Sequence, residues 1–240
     1  HEMSGQWPLA ALEAQAVCAR TYACRTTKHQ STYGFDVCNT TDCQVYNGVN
    51  ASTARSDEAV DNTAGECVYY DGELAETVYH SSDGGATEDA ANVWGSDVPY
   101  LQSVDSPGEE APHNEDTISF STEEFSARIL SQNPAADLSG SPESWFGAVS
   151  ATEGGGVEAL EIGGVSFTGK ELRSLLGLRS TVFAVSVMGD EIFFQTRGYG
   201  HRVGMSQYGA QAMAQAGSGY EEILLHYYTG VSLENYFQRS

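Results

Sequence analysis

The stretch from Leu9 to Ala23 most constrains what this chain can fold into. Pro8 opens it, and proline suits the first helical position, where its fixed φ is already helical and its missing N–H has no partner to lose. Behind it Leu12, Ala16, Ala19 and Ala23 recur at spacings of four, three and four, an apolar helical stripe. Gln15, Cys18 and Tyr22 follow on the neighbouring face, and Arg20 adds a cation placed to hold a carboxylate or a carbonyl. A run this patterned is no frayed terminus. The residues ahead of it, Glu2 to Trp7, therefore have a fixed place at the mouth of a helix, where a carboxyl group can act as acid or base on a bound substrate.

The remaining segments mix both periodicities. Cys67–Tyr70 and Ala75–Tyr79 read as strands joined by an Asp71-Gly72 hairpin turn. Val157–Phe167 reads as a strand pair around Gly163-Gly164, and Val182–Val187 with Glu191–Gln195 as a hairpin across Gly189-Asp190. Helices are expected over Ser52–Asn62, after the capping boxes Ser121–Glu124 and Thr168–Glu171, up to Ala216, and after Ser218–Glu221. The acidic, turn-rich segment from Ser106 to Asn114 reads as a linker. The expected fold is α+β, a core of mixed helices and antiparallel strands with a second, smaller lobe. Residues 1–105 and 181–240 would form the core lobe and 106–180 the second, with a substrate groove between them.

Charge narrows the partners. Thirty-three acids against 11 bases give a formal net charge of −22, which repels phosphates and argues against nucleic acid and anionic lipid. No run of eighteen apolar residues occurs, so nothing in the sequence reads as a membrane span. His1 opens directly into patterned sequence, which fits an excised domain whose upstream signal or membrane anchor is missing. The cysteines are Cys18, Cys24, Cys38, Cys43 and Cys67, and an odd count leaves at least one unpaired if disulfides form. Cys38 and Cys43 are close enough for a small disulfide loop or for two metal ligands.

Three polar, partly glycine-rich loops stand out: Glu2 to Trp7, His80 to Thr87, and Gly198 to Tyr208. Each lies at a junction where a rigid scaffold presents working side chains. Glu2-Met3 with Trp7-Pro8, the run Ala14–Ala23, Cys43–Tyr46, His80–Gly85, Val93–Gly95 with Pro99–Leu101, Leu172–Phe183, and Gly200-His201 through Val203–Ala210 together resemble the SpoIID/LytB family of stage II sporulation protein D and amidase-enhancer proteins. The resemblance runs almost from end to end. Any one motif is weak, whereas their order and number make chance similarity improbable.

The resemblance implies a lytic transglycosylase that cuts peptidoglycan glycan strands outside the cytoplasm, with a preference for strands stripped of stem peptides. The family's catalytic acid is the glutamate of the Glu-Met motif, here Glu2. Burial against Trp7 is the expected means of raising its pKa. Substrate-binding residues are expected at Arg20 and Tyr22, in a first wall at His80, Ser81, Ser82, Gly84 and Gly85, and in a second at His201, Met205, Ser206, Gln207 and Tyr208. Ser206 equally suits a helix N-cap. Some family members hold zinc through a cysteine-rich loop with histidine as a further ligand. Here Asp42 stands where a His-Cys pair is expected, so Cys38, Cys43 and His29 (or Asp36 in its place) are the candidate ligands, with a disulfide or free thiols as alternatives. A competing role is a non-catalytic glycan-binding module that stimulates a cell-wall amidase. A zinc hydrolase is disfavoured because no His-Glu-x-x-His pattern occurs.

Overall fold

The computed structural model describes residues 2–106 and 110–238, so the expected linker lies partly, at 107–109, outside the described residues. The protein is α+β, with helices beside antiparallel sheets. Among the described residues no helix is long and apolar enough to cross a membrane. The chain divides into two compact units. The first takes the residues up to Tyr79, Pro99–Gln102 and those from Gly204 onward; the second takes His80–Val98 and Ser103–Val203.

In the first unit the Leu9–Arg25 helix packs against the helices Ala54–Asn62, Gln207–Gln215 and Tyr220–Tyr227 and the strand Glu66–Tyr70. So many neighbours widen its buried face beyond one stripe: Ala11, Ala14, Gln15, Val17, Cys18 and Thr21 are buried beside Leu12, while Ala23 is exposed. Glu66–Tyr70 is the centre of a three-stranded sheet, flanked antiparallel by Ser232–Asn235 and Glu73–Leu74. The Asp71-Gly72 turn has both residues at positive φ, 48° and 81°, the twist a two-residue hairpin needs. The second strand ends at Leu74, short of the expected Ala75–Tyr79. Polar groups drawn elsewhere explain this: Glu76 N–H donates to the Tyr100 hydroxyl at 2.9 Å, and Thr77 Oγ1 donates to the Cys18 carbonyl at 2.8 Å.

The second unit holds two three-stranded sheets. One has Glu191–Arg197 at its centre, between Glu115–Ser121 and Val182–Met188; the other has Val157–Ile162 between Phe146–Ala151 and Val165–Thr168. The helices Thr122–Gln132 and Gly169–Leu176 begin at the expected caps, Ser121 and Thr168, and Gly177 ends the latter in the left-handed region. Phe120, Phe125, Ile162, Phe167, Leu172, Ile192 and Phe194 pack into one core. Each such side chain contributes about 1.5–3 kcal/mol on burial. The division between units therefore runs elsewhere than the boundaries 106 and 180 suggest. Pairing with Glu115–Ser121 draws the 182–197 hairpin into the second unit, carrying Ile192 and Phe194 into its core.

Candidate functional site

Glu2 lies in the first unit, held by its neighbours rather than trailing. Its Oε1 accepts the Val45 backbone N–H at 2.6 Å and the Tyr79 hydroxyl at 3.2 Å. Its carbonyl accepts Gln207 Nε2 at 3.3 Å, and the same amide lies 3.2 Å from the oxygen of buried Gln15. Glu2 borders a pocket of about 220 Å³ whose walls include Leu12, Ala16, Ala19, Val45 and Val60. Ala16 and Ala19 of the predicted stripe thus line a space instead of filling it. Burial, then the charge of Glu2, pushes the Tyr79 phenol far above its ordinary range, so it stays a neutral O–H donor at any working pH. Trp7 stands edge-on to Tyr208, ring centres 4.7 Å apart.

Other expected binding residues of this unit have structural partners. Arg20 donates to the carbonyls of Thr63, Glu66 and Val60 at 2.8, 2.9 and 3.3 Å, which ties the end of the Ala54–Asn62 helix to the next strand. Tyr22 lies against Cys43, and burial foremost raises its pKa. Met205 is fully buried, and Ser206 caps the Gln207–Gln215 helix by accepting the Gly209 N–H at 3.1 Å.

In the second unit His80 is buried, with Nδ1 3.2 Å from the Val203 carbonyl and its ring edge-on to His201 at 5.6 Å. Desolvation first, then His201, holds its pKa well below the ordinary histidine value, so His80 is neutral near pH 7. Ser82 is also buried; of this loop Ser81, Gly84 and Gly85 reach the surface. The organiser is a residue not singled out in the sequence, Arg202. At 1% exposure and a left-handed φ of 68°, it donates to the carbonyls of Asp83 and Ala86, both at 2.8 Å, and of Gly154. It also reaches Glu88 Oε2 and Thr181 Oγ1, both at 3.4 Å. Gly156 allows this approach: a Cβ there would sit 2.8 Å from the guanidinium. Nothing in the local pattern separates Arg202 from a surface cation.

The cysteine loop gathers four candidate ligands. Ligand atoms of His29, Cys38, Asp42 and Cys43 all lie within 4.8 Å of one another. Both cysteines are free thiols. Hydrogen bonds from Thr40 foremost bring the Cys38 thiol down to about 6. Asp42 also bonds Lys28 at 2.7 Å, which lowers its pKa. Two thiols, an imidazole and a carboxylate make a donor set that fits a tetrahedral divalent metal. Asp36, the other candidate, is outside the group. The loop continues through Gln44, anchored to the Ala19 carbonyl at 3.0 Å, to Val45, the donor to Glu2.

Comparison with known proteins places this architecture. The profile of the family described as SpoIID, stage II sporulation protein, matches residues 1–70. Stage II sporulation protein D of Bacillus amyloliquefaciens is 34% identical over 248 residues, covering 97% of this chain and 70% of that protein. The chain belongs to the SpoIID family. Two further relatives of this SpoIID chain are an uncharacterized protein of Brachyspira hyodysenteriae, 36% identical over 240 residues, and the amidase enhancer of Bacillus subtilis, 31% identical over 288. Each alignment covers 98% of the SpoIID chain, which spans 64% and 39% of those two proteins.

Proposed function

We propose that this protein is a lytic transglycosylase of peptidoglycan glycan strands in which Glu2 is the single acid and base. The observation that carries this reading is the Glu2 carboxyl, fixed through Oε1 by two donors at the edge of a pocket. Oε2 is then the oxygen available for proton transfer. Protonated, it gives its proton to the oxygen joining N-acetylmuramic acid to N-acetylglucosamine. As the C1–O bond breaks, the muramyl C6 hydroxyl attacks C1 and returns a proton to Glu2, closing a 1,6-anhydro ring. Water is not the nucleophile, so the second carboxylate of ordinary glycosidases is not needed. Strands already stripped of peptides are the proposed substrate, reached outside the cytoplasm.

The group His29, Cys38, Asp42 and Cys43 is proposed to hold one zinc ion. Bound there, zinc supplies cross-linking of the loop that carries Val45, and no chemistry on the sugar. A second reading is favoured by the amidase enhancer among the relatives: a protein that binds glycan and stimulates a cell-wall amidase.

The deciding experiment is incubation with peptide-free glycan strands and mass analysis for anhydro-muramyl ends. Wild type should release them and Glu2→Gln should not. Equal inactivity of both, with glycan binding retained, overturns the lytic reading in favour of the enhancer.

A further inference from the structure

The second unit contains a separate pocket of about 210 Å³, bordered by Asn92, Lys170, Arg173, Thr181 and His201. Lys170 and Arg173 stand on one face of the Gly169–Leu176 helix. Five of the ten described lysines and arginines, Arg25, Lys28, Arg128, Arg179 and Arg202, meet a carboxylate within 4.0 Å. Among the described residues neither Lys170 nor Arg173 has such an ion pair. Lys170 Nζ donates once, to the Val93 carbonyl at 2.7 Å, and Arg173 donates through Nε to the Arg179 carbonyl at 3.2 Å. Two N–H groups of the ammonium and four of the guanidinium remain for a ligand. Burial lowers the Arg173 pKa, as expected of a cation held partly out of water without a counter-ion.

Two carboxylates also border the pocket. Glu88 is already satisfied: Oε2 accepts Thr152 Oγ1 at 2.5 Å and Arg202 at 3.4 Å, and Oε1 accepts Asn92 Nδ2 at 2.8 Å. Glu158 and Lys170 are both exposed, so water screens both charges, which leaves half-buried Arg173 as the least screened charge without a counter-ion. The balance inside favours an anion. Beside the pocket, Trp94 is 43% exposed with its ring centre 5.4 Å from that of His201. An exposed indole face is a platform on which a sugar ring can stack.

We infer that this pocket binds the carboxylate of an acidic sugar: the lactyl carboxylate of an N-acetylmuramic acid residue whose peptide has been removed, its ring resting on Trp94. The inference rests on the glycan reading above and deepens it. While a stem peptide is attached, that carboxyl is an amide with no charge for Lys170 and Arg173 to meet. Peptide removal unmasks the charge, so the pocket gives a physical basis for selecting stripped strands.

The test uses the Glu2→Gln protein, which keeps strands intact during titration. Three probes are titrated by calorimetry: peptide-free strands, the same strands with lactyl carboxyls converted to methylamides, and free stem peptide. Peptide-free strands should bind about tenfold tighter than the methylamides, the usual worth of a hydrogen-bonded charge. Lys170→Met and Arg173→Gln should each erase most of that preference without changing affinity for the methylamides, and Arg173→Lys should retain part of it. Lys170 is exposed, so its variant decides the matter if Arg173→Gln does not fold. Equal binding of the two glycans, a preference that survives both substitutions, or equal competition by stem peptide overturns the inference. Absence of the preference with anhydro-product release intact in wild type removes this site alone. A preserved preference without any release by wild type removes the lytic reading alone.

Discussion

Replacing Arg202 by Met tests whether the second unit is organised around one guanidinium. The side chain is 1% exposed and bonds five acceptors: the Asp83, Ala86 and Gly154 carbonyls, Thr181 Oγ1 and Glu88 Oε2. Removing one member of a buried ion pair costs about 3–5 kcal/mol, because the other charge is left uncompensated. Each stranded carbonyl adds about 1–3 kcal/mol, part of which entering water relieves. The net loss should be about 5 kcal/mol or more, comparable with the whole stability of a domain. Thermal unfolding followed by near-ultraviolet circular dichroism should show the second unit melting about 10–20 °C lower. Adding Glu88→Gln should recover part of the loss, since no buried charge then lacks a partner. Arg202→Lys should remain destabilised, because a compact ammonium cannot span five acceptors. A midpoint for Arg202→Met within about 2 °C of wild type would show that the second unit is not organised around this guanidinium.

Three more outcomes follow from the described contacts. Tyr79→Phe removes one of two donors to Glu2 Oε1 and should lower kcat for anhydro-product release by about tenfold or more with an unchanged melting midpoint; undiminished turnover counts against a role for Tyr79. His80 has a folded pKa well below 6.5, so the unfolded chain takes up its proton first as pH falls. Its stabilising contribution is complete above about pH 6.5 and is lost below it, by at most about 1.4 kcal/mol per pH unit. Midpoints at pH 7.5 and 5.5 should therefore differ less in His80→Gln than in wild type, and an equal difference would exclude this histidine as the sensor. Protein purified without chelator should carry about one equivalent of zinc by elemental analysis, and Cys43→Ser should lose most of it; wild type free of zinc would leave the loop as thiols.

Much of the fold was legible because short-range chemistry fixes it. The capping residues at Ser121 and Thr168, the Gly177 stop and the three hairpin turns each depend on a few neighbours in sequence. The division into units was not legible, since it depends on the 182–197 hairpin choosing Glu115–Ser121 as its partner. At the site the motif located Glu2 and Gln207, but not what holds them. Tyr79 and the Val45 N–H come from segments 77 and 43 residues away. Arg20 could be recognised as a cation seeking oxygen, yet only the fold shows that helix-end carbonyls supply it. Arg202 lies inside the Gly198–Tyr208 loop, where the sequence cannot mark it as buried, because burial leaves no trace in a single charged letter.

The pairing of Ser232–Asn235 with Glu66–Tyr70 sets an order of events. The first unit holds Glu2 and cannot close its sheet until Ser232–Asn235 has been made and has crossed back over some 160 residues of sequence. Contacts of such range form late, since loop-closure entropy must be met before they return anything. The second unit, whose segments lie between, has no such wait. A growing chain therefore holds Glu2 and both donors to its carboxyl, Val45 and Tyr79, before the strand that completes this sheet exists. The acid and its donors are thus made early, while the sheet of their unit closes late.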